Sequence, residues 1–185
     1  MSRALCGLCG VATVVAATLM MAAAAPVLKA SDNIIRGKAY GPGEYIIAGH
    51  ALHCRRARTV LSSELNDYGA AVPGTIVLNP KRLQRLPATT GLFVYAHECG
   101  HQIHGRSEAA ADCYAAKRGR SEGWLTRRAI SGICNVFPKT AETKSHAARG
   151  ARCTVIQACF VGKATPRQLS GSRSYEDAAR AIKGN

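Results

Sequence analysis

The stretch Tyr95–Ala115, YAHECGHQIHGRSEAAADCYA, constrains this chain more than any other. Within it His97, Glu98 and His101 form H-E-x-x-H. On a helix, residues four apart lie on one face, about one turn from each other. Two imidazoles at that spacing can converge on a single Zn²⁺, with Glu98 turned toward the same open side. A catalytic zinc needs that arrangement: imidazole nitrogens, a third protein ligand and a vacant position for water. Leu92, Phe93, Val94 and Tyr95 give the helix an apolar lead-in suited to burial, and Gly105 is a good stop for it. Ser107 is a natural N-cap for a second helix, with Glu108 in a first turn whose dipole favours a carboxylate. The chain is therefore expected to double back as a tight helix-turn-helix. Glu108 and Asp112, four apart, share a face of the second helix. If that face looks back at His97 and His101, one of the two carboxylates completes a zinc site.

HECGH followed by Glu108-Ala-Ala-Ala111-Asp112 resembles the gluzincin metallopeptidases, in which an H-E-x-x-H helix is followed by an E-x-x-A-D helix. Over about Gly74–Leu125 the chain is also similar to a group of small exported bacterial proteins of metallopeptidase type. The resemblance implies His97, His101 and Glu108 as metal ligands, Glu98 as catalytic base and Asp112 as partner of a ligand histidine. It further implies a peptide or protein substrate. One departure stands out: only six residues separate His101 from Glu108, where gluzincins usually carry a longer insertion. Asp112 thus stays open as the rival third ligand. H-E-x-x-H also arises by chance as the polar face of an ordinary helix. Here the second helix, the glycine stop and the spaced acids coincide with it.

Residues 1–24 are expected to be a secretory signal peptide: Arg3 gives a positive start, an apolar run follows, and small residues crowd its end. Cleavage after Ala24 puts Ala22 and Ala24 at the small-residue positions. The run approaches the length of a membrane anchor, but its alanine-rich end favours cleavage. The mature chain is then periplasmic or secreted, and residues 25–185 are expected to form one domain. No other stretch is long and apolar enough to span a bilayer. Six cysteines remain: Cys54, Cys99, Cys113, Cys134, Cys153 and Cys159. In an exported chain these read as up to three disulfides, with 15 possible pairings. A Cys99–Cys113 bond would staple the two helices of the proposed site. His50 and His53, just before Cys54, raise the idea of a second metal site; solvated loop histidines are the plainer reading.

Arg58–Leu61 and Gly74–Leu78 read as strands, separated by the turn signal Asn66-Asp67-Tyr68-Gly69. They are expected to pair antiparallel beside the zinc helix, with Thr75–Leu78 either a cleft wall or a core strand. Lys81–Leu86 reads as a short helical turn. A helix within Arg120–Phe137 places Trp124, Leu125, Ile130 and Ile133 on a core face. Lys139–Gly150 is polar and reads as loop, with His146 a bystander. Cys153–Val161 is a strand or a helix, and Ser174 caps a short helix, Tyr175–Lys183. The tail from about residue 162 is read as mobile.

Twenty-five Lys and Arg against 11 Asp and Glu give a formal net charge of +14. Such a chain is drawn to anionic cell-envelope polymers. The basic residues are scattered, aromatic residues are only 5 % and no nucleic-acid motif occurs, so specific nucleic-acid binding is not expected. The expectation is a small α+β, zincin-like domain acting as an exported zinc metallopeptidase. In it a metal-activated water would attack the peptide bond with Glu98 as general base. Tyr68, Tyr95 and Tyr114 are candidate oxyanion donors by residue type. The alternative is a non-enzymatic, zinc-stabilised binding protein with a working basic surface. A third idea is a latent enzyme whose metal is masked by Cys99 or by a segment near the leader.

Overall fold

A computed structural model of the chain describes residues 36–137 and 149–184. The expected leader and residues 139–148 of the expected polar loop, His146 among them, lie outside the described residues; the loop's last two residues, Arg149 and Gly150, are helical instead. The elements are β1 Lys38–Tyr40, β2 Ile46–Ile47, β3 His50–Ala51, β4 Arg58–Leu61, β5 Gly69–Val72, β6 Thr75–Leu78, α1 Pro80–Leu83, α2 Ala88–His104, α3 Glu108–Ser121, α4 Arg127–Val136, α5 Arg149–Phe160, α6 Pro166–Leu169 and α7 Tyr175–Lys183. The class is α+β, as expected: a four-stranded sheet in the order β1-β4-β6-β5, a two-stranded β2-β3 ribbon, and a helical layer.

Both expected strands form, but their pairing differs from the expectation. β4 and β6 run parallel, with Val60 opposite Val77. The reason is β5. Pro73-Gly74 is a turn dipeptide with Gly74 at φ +71°, so β5 and β6 close as an antiparallel hairpin, Val72 opposite Thr75. That hairpin takes one side of β6, and β4 fills the other. Gly69-Ala-Ala-Val72 carries little strand signal, because glycine and alanine are poor formers. β6 is buried along its whole length and is a core strand; the edge position belongs to β5.

Helix α2 works on three faces. Leu92, Tyr95 and Cys99 pack on the sheet side with Leu52, Cys54, Ala57, Ile76 and Leu78. Phe93 and Ala96 pack on the helical side with residues of α3, α4, α5 and α7. Val94, His97, Glu98 and His101, at i, i+3, i+4 and i+7, line a cavity. The chain turns at Gly105, φ +72°, whose N–H bonds the His101 carbonyl. Ser107 then caps α3, its Oγ accepting from the Ala110 N–H and donating to the Leu169 carbonyl. Both boundaries fall where the sequence puts them.

Three disulfides join Cys54–Cys99, Cys113–Cys159 and Cys134–Cys153. The Cys99–Cys113 bond, one of the pairings the sequence left open, does not form. Cys99 faces the sheet side of α2, whereas Cys113 faces the helical core, so the two sulfurs point into different clusters. Cys153–Phe160 is helical within α5. The stretch after residue 162, read as a mobile tail, packs into the core: Leu169, Tyr175 and Ala178 are all buried. Among the described residues no helix is long and apolar enough to cross a membrane.

Candidate metal centre

His97, His101 and Glu108 come together as a group that could hold a metal ion. His97 Nε2 lies 3.0 Å from His101 Nε2. Glu108 Oε2 lies 3.2 Å from His97 Nε2, and Oε1 lies 3.4 Å from His101 Nε2. Ligand atoms bonded tetrahedrally at about 2.0–2.1 Å stand about 3.3 Å apart, so these three already have that separation. Asp112 does not enter the triad: it bonds the far nitrogen of His97. Of the two third-ligand candidates, Glu108 is therefore the one whose oxygens face both Nε2 atoms.

The ring orientations follow from what each Nδ1 touches. His101 Nδ1 is 2.8 Å from the Gly105 carbonyl, which can only accept. His97 Nδ1 is 2.8 Å from Asp112 Oδ1. Each Nδ1 therefore carries the proton and donates it, and each Nε2 turns a lone pair into the same space. Two lone pairs and a carboxylate at these distances need a cation between them: a metal or a proton. The electrostatics say the same. Burial disfavours charge on His97, but hydrogen bonds to Asp112 and Glu108 and the charges of Asp112 and Glu98 outweigh it and push its pKa up to about 10. Burial also opposes charge on His101, and the Glu108 hydrogen bond raises it. Burial raises Glu108, but its bonds to His101 and His97 hold the carboxyl well below its usual range.

Close packing at two glycines sets the geometry. A Cβ at Gly100 would stand 2.7 Å from Ala111 Cα, so α2 and α3 touch backbone to backbone. This is what the Gly100 of HECGH and the Ala109-Ala-Ala111 run provide. A Cβ at Gly69 would stand 2.9 Å from Glu98 Cγ and 3.0 Å from Val94 Cγ1. The Glu98 side chain is thus laid along the β5 backbone, and it lines the same cavity as the triad. Burial raises its pKa, more than nearby His97 and His101 lower it.

Asp112 is fully buried and anchors a network of which only its contact with a ligand histidine was expected. Its Oδ1 accepts from His97 Nδ1 and from Arg152 Nη2 at 2.7 Å. Its Oδ2 accepts from Arg152 Nε at 2.9 Å and from the Tyr175 hydroxyl. Burial raises Asp112, but the Arg152 charge and the His97 bond hold it well below the carboxylate range. Arg152 also lies over the Phe137 ring, 3.8 Å from its centroid. One signal for Arg152 was present: it shares the spacing of Ile156 and Cys159, so it occupies the core face of α5, and a buried arginine needs an acid.

The cavity measures about 1010 Å³. One wall is β5 and its turn; the other is apolar, from Phe93, Ile133, Val136 and Phe137. Along β5 the Asn79 N–H donates to the Tyr68 carbonyl, and hydrogen-bonded pairs alternate in an antiparallel ladder. Tyr68, Ala70 and Val72 therefore turn their peptide groups to β6, and Gly69 and Ala71 turn theirs to the unpaired edge. Gln102 ties this hairpin to α2: its Nε2 donates to the Val72 and Thr75 carbonyls, and its Oε1 accepts from the Gly74 N–H.

Of the three tyrosines named by type, Tyr68 lines the cavity. Tyr95 is buried on the sheet side and Tyr114 lies against Cys99 and His104, both away from the cavity lining. His50 and His53 join no metal-holding group among the described residues; the His53 ring packs on Gly43 instead. Cys99 is bonded to Cys54, so it offers no thiolate to mask the triad. Comparison of the chain with protein-family models, with curated proteins and with solved structures returned no match.

Proposed function

We propose that this chain is an exported zinc-dependent hydrolase that cleaves peptide bonds, with a zincin-like arrangement of α2, α3 and the β5 edge. The observation that carries the reading is the pair of Nε2 atoms, 3.0 Å apart and facing Glu108, in a cavity that also holds Glu98. Two imidazoles and one carboxylate suit zinc better than the hard cations, which prefer all-oxygen sites. When bound, zinc supplies a Lewis acid for the scissile carbonyl and acidifies water.

The remaining work falls to the chain. Glu98 accepts the proton of the attacking water at a carboxylate oxygen and returns it to the leaving amine. Its raised pKa suits a base that must release that proton again. Gly69 and Ala71 hold an extended substrate by backbone pairing along the β5 edge. Tyr68 is the donor proposed for the developing oxyanion. Asp112 keeps the proton of His97 on Nδ1.

The net charge of +14 favours a second reading, a metal-stabilised binding protein whose basic surface engages anionic envelope polymers. One experiment separates them. Metal content and peptide-library cleavage are measured on the mature, oxidised protein and on Glu98→Gln. Bound zinc in both, with cleavage lost only in the variant, supports the hydrolase. Bound zinc with no cleavage by either supports the binding protein. No bound metal overturns both.

A further inference from the structure

We propose that Tyr175, in the first turn of the last helix, is a positioning residue for the metal centre: its hydroxyl completes the hydrogen-bond set of Asp112 and so holds the carboxylate that fixes the His97 ring. The inference rests on His97, His101 and Glu108 being metal ligands, and it does not depend on hydrolysis.

An ionised carboxylate offers about four acceptor positions. Asp112 uses them all on groups from three other helices: His97 of α2 and Arg152 of α5 on Oδ1, Arg152 again and Tyr175 of α7 on Oδ2. Arg152 grips one edge of the carboxylate with two parallel bonds. Tyr175 adds a second donor at Oδ2, from a separate helix. With that donor in place the carboxylate cannot pivot about its own bond, and Oδ1 stays where His97 Nδ1 meets it. The site has no route for solvent to substitute: Asp112 is 0 % exposed and Tyr175 is 4 % exposed.

The tyrosine is itself held. Ser174 caps α7 through the Asp177 N–H, and Ala178 one turn on is fully buried. Leu169, at the end of α6, accepts a bond from Ser107, the cap of the helix carrying Glu108 and Asp112. The C-terminal helices are therefore registered on α3, and Tyr175 reaches Asp112 across 63 residues of sequence. The geometry of the triad thus depends on the end of the chain as well as on the H-E-x-x-H helix.

The test is Tyr175→Phe in the full oxidised chain, which keeps the ring and removes one donor. Zinc affinity is measured by chelator competition, and the visible spectrum of the Co²⁺-loaded form reports ligand geometry. Outer partners of ligating histidines are worth about 10–100-fold in metal affinity; Tyr175, acting through Asp112, is expected near the lower end, about tenfold. The Co²⁺ bands are expected to shift, and Tyr45→Phe, beside the β2–β3 ribbon and outside the cavity lining, is expected to leave both readouts unchanged. Unaltered zinc affinity and Co²⁺ spectrum in Tyr175→Phe, with only a lower melting temperature, would assign Tyr175 to packing and overturn the inference. A wild-type chain that binds no zinc removes the metal reading and this inference together. If the variant does not fold, proton NMR of the wild type decides: a Tyr175 hydroxyl proton protected from exchange supports the inference, and a freely exchanging one overturns it.

Discussion

Gly100 lies against Ala111 so closely that a side-chain carbon at position 100 would meet the Ala111 backbone at 2.7 Å and its Cβ at 3.1 Å. This contact sets the distance between α2, which carries His97 and His101, and α3, which carries Glu108. Gly100→Ala must push the helices apart, because the atoms it meets are backbone and cannot swing away. Overpacking of this kind costs about 1–3 kcal/mol. The expected result is a lower melting temperature together with weaker zinc binding. A stable variant with unchanged metal affinity would show that the helix spacing does not set the triad.

Gly69 makes a second close approach, to Glu98 itself. Alanine there would put a methyl group 2.9 Å from Glu98 Cγ and 3.2 Å from Oε1. Glu98 has a flexible side chain, so the fold should survive and the carboxylate should move. A displacement of about 1 Å at a catalytic group can cost about 10²-fold in rate. Under the proposed hydrolysis, Gly69→Ala is expected to lower kcat by that order while metal content stays at the wild-type level. Equal loss of metal and activity would instead point to damage across the whole site.

What could be read from the sequence was what is local. The H-E-x-x-H spacing, the Gly105 stop and the Ser107 cap each depend on a few neighbouring residues, and each lies where expected. The carboxylate ambiguity did not yield to the same reasoning, since Glu108 and Asp112 share one helix face; it takes the fold to show that one meets Nε2 and the other Nδ1 of His97. Arg152 and Tyr175 lie 40 and 63 residues beyond Asp112, and no local rule connects them. β5 was missed because Gly69-Ala-Ala gains its extended form from pairing with β6 and from the turn at Gly74, not from its own preference. The disulfide pairing was open for the same reason: it follows from which core cluster each cysteine faces.

The metal-free protein should lose stability as pH rises. His97 is raised from 6.5 to about 10 in the folded state by partners that outweigh its burial. A raised folded pKa binds a proton that the unfolded chain gives up earlier. The resulting stabilisation is full below about pH 6.5 and fades as pH climbs through about 10. With metal bound the imidazoles are deprotonated, and this dependence should disappear over the same window. Melting temperatures of metal-free and zinc-loaded protein across that range test the point. Parallel curves would mean that His97 holds no such proton.

Each disulfide has one half-cystine next in sequence to a residue of the centre: Cys99 follows Glu98, Cys113 follows Asp112 and Cys153 follows Arg152. The three bonds tie these positions to the loop at Cys54, to α5 and to α4. Reduction should therefore loosen the centre before it only weakens the fold. Loss of one native disulfide costs about 2–5 kcal/mol in a small exported domain. The paired change Cys113→Ser with Cys159→Ser frees α3 from α5, and so Asp112 from the helix that carries Arg152. It is expected to weaken zinc binding at temperatures where the variant is still folded. The pair Cys54→Ser with Cys99→Ser releases the sheet side of α2 and leaves the Asp112 network in place, so its effect should fall more on melting temperature than on zinc affinity. Chelator competition at a temperature well below both midpoints distinguishes the two. If both variants bind zinc as the wild type does, the disulfides serve the fold alone and the Asp112 network holds the centre unaided.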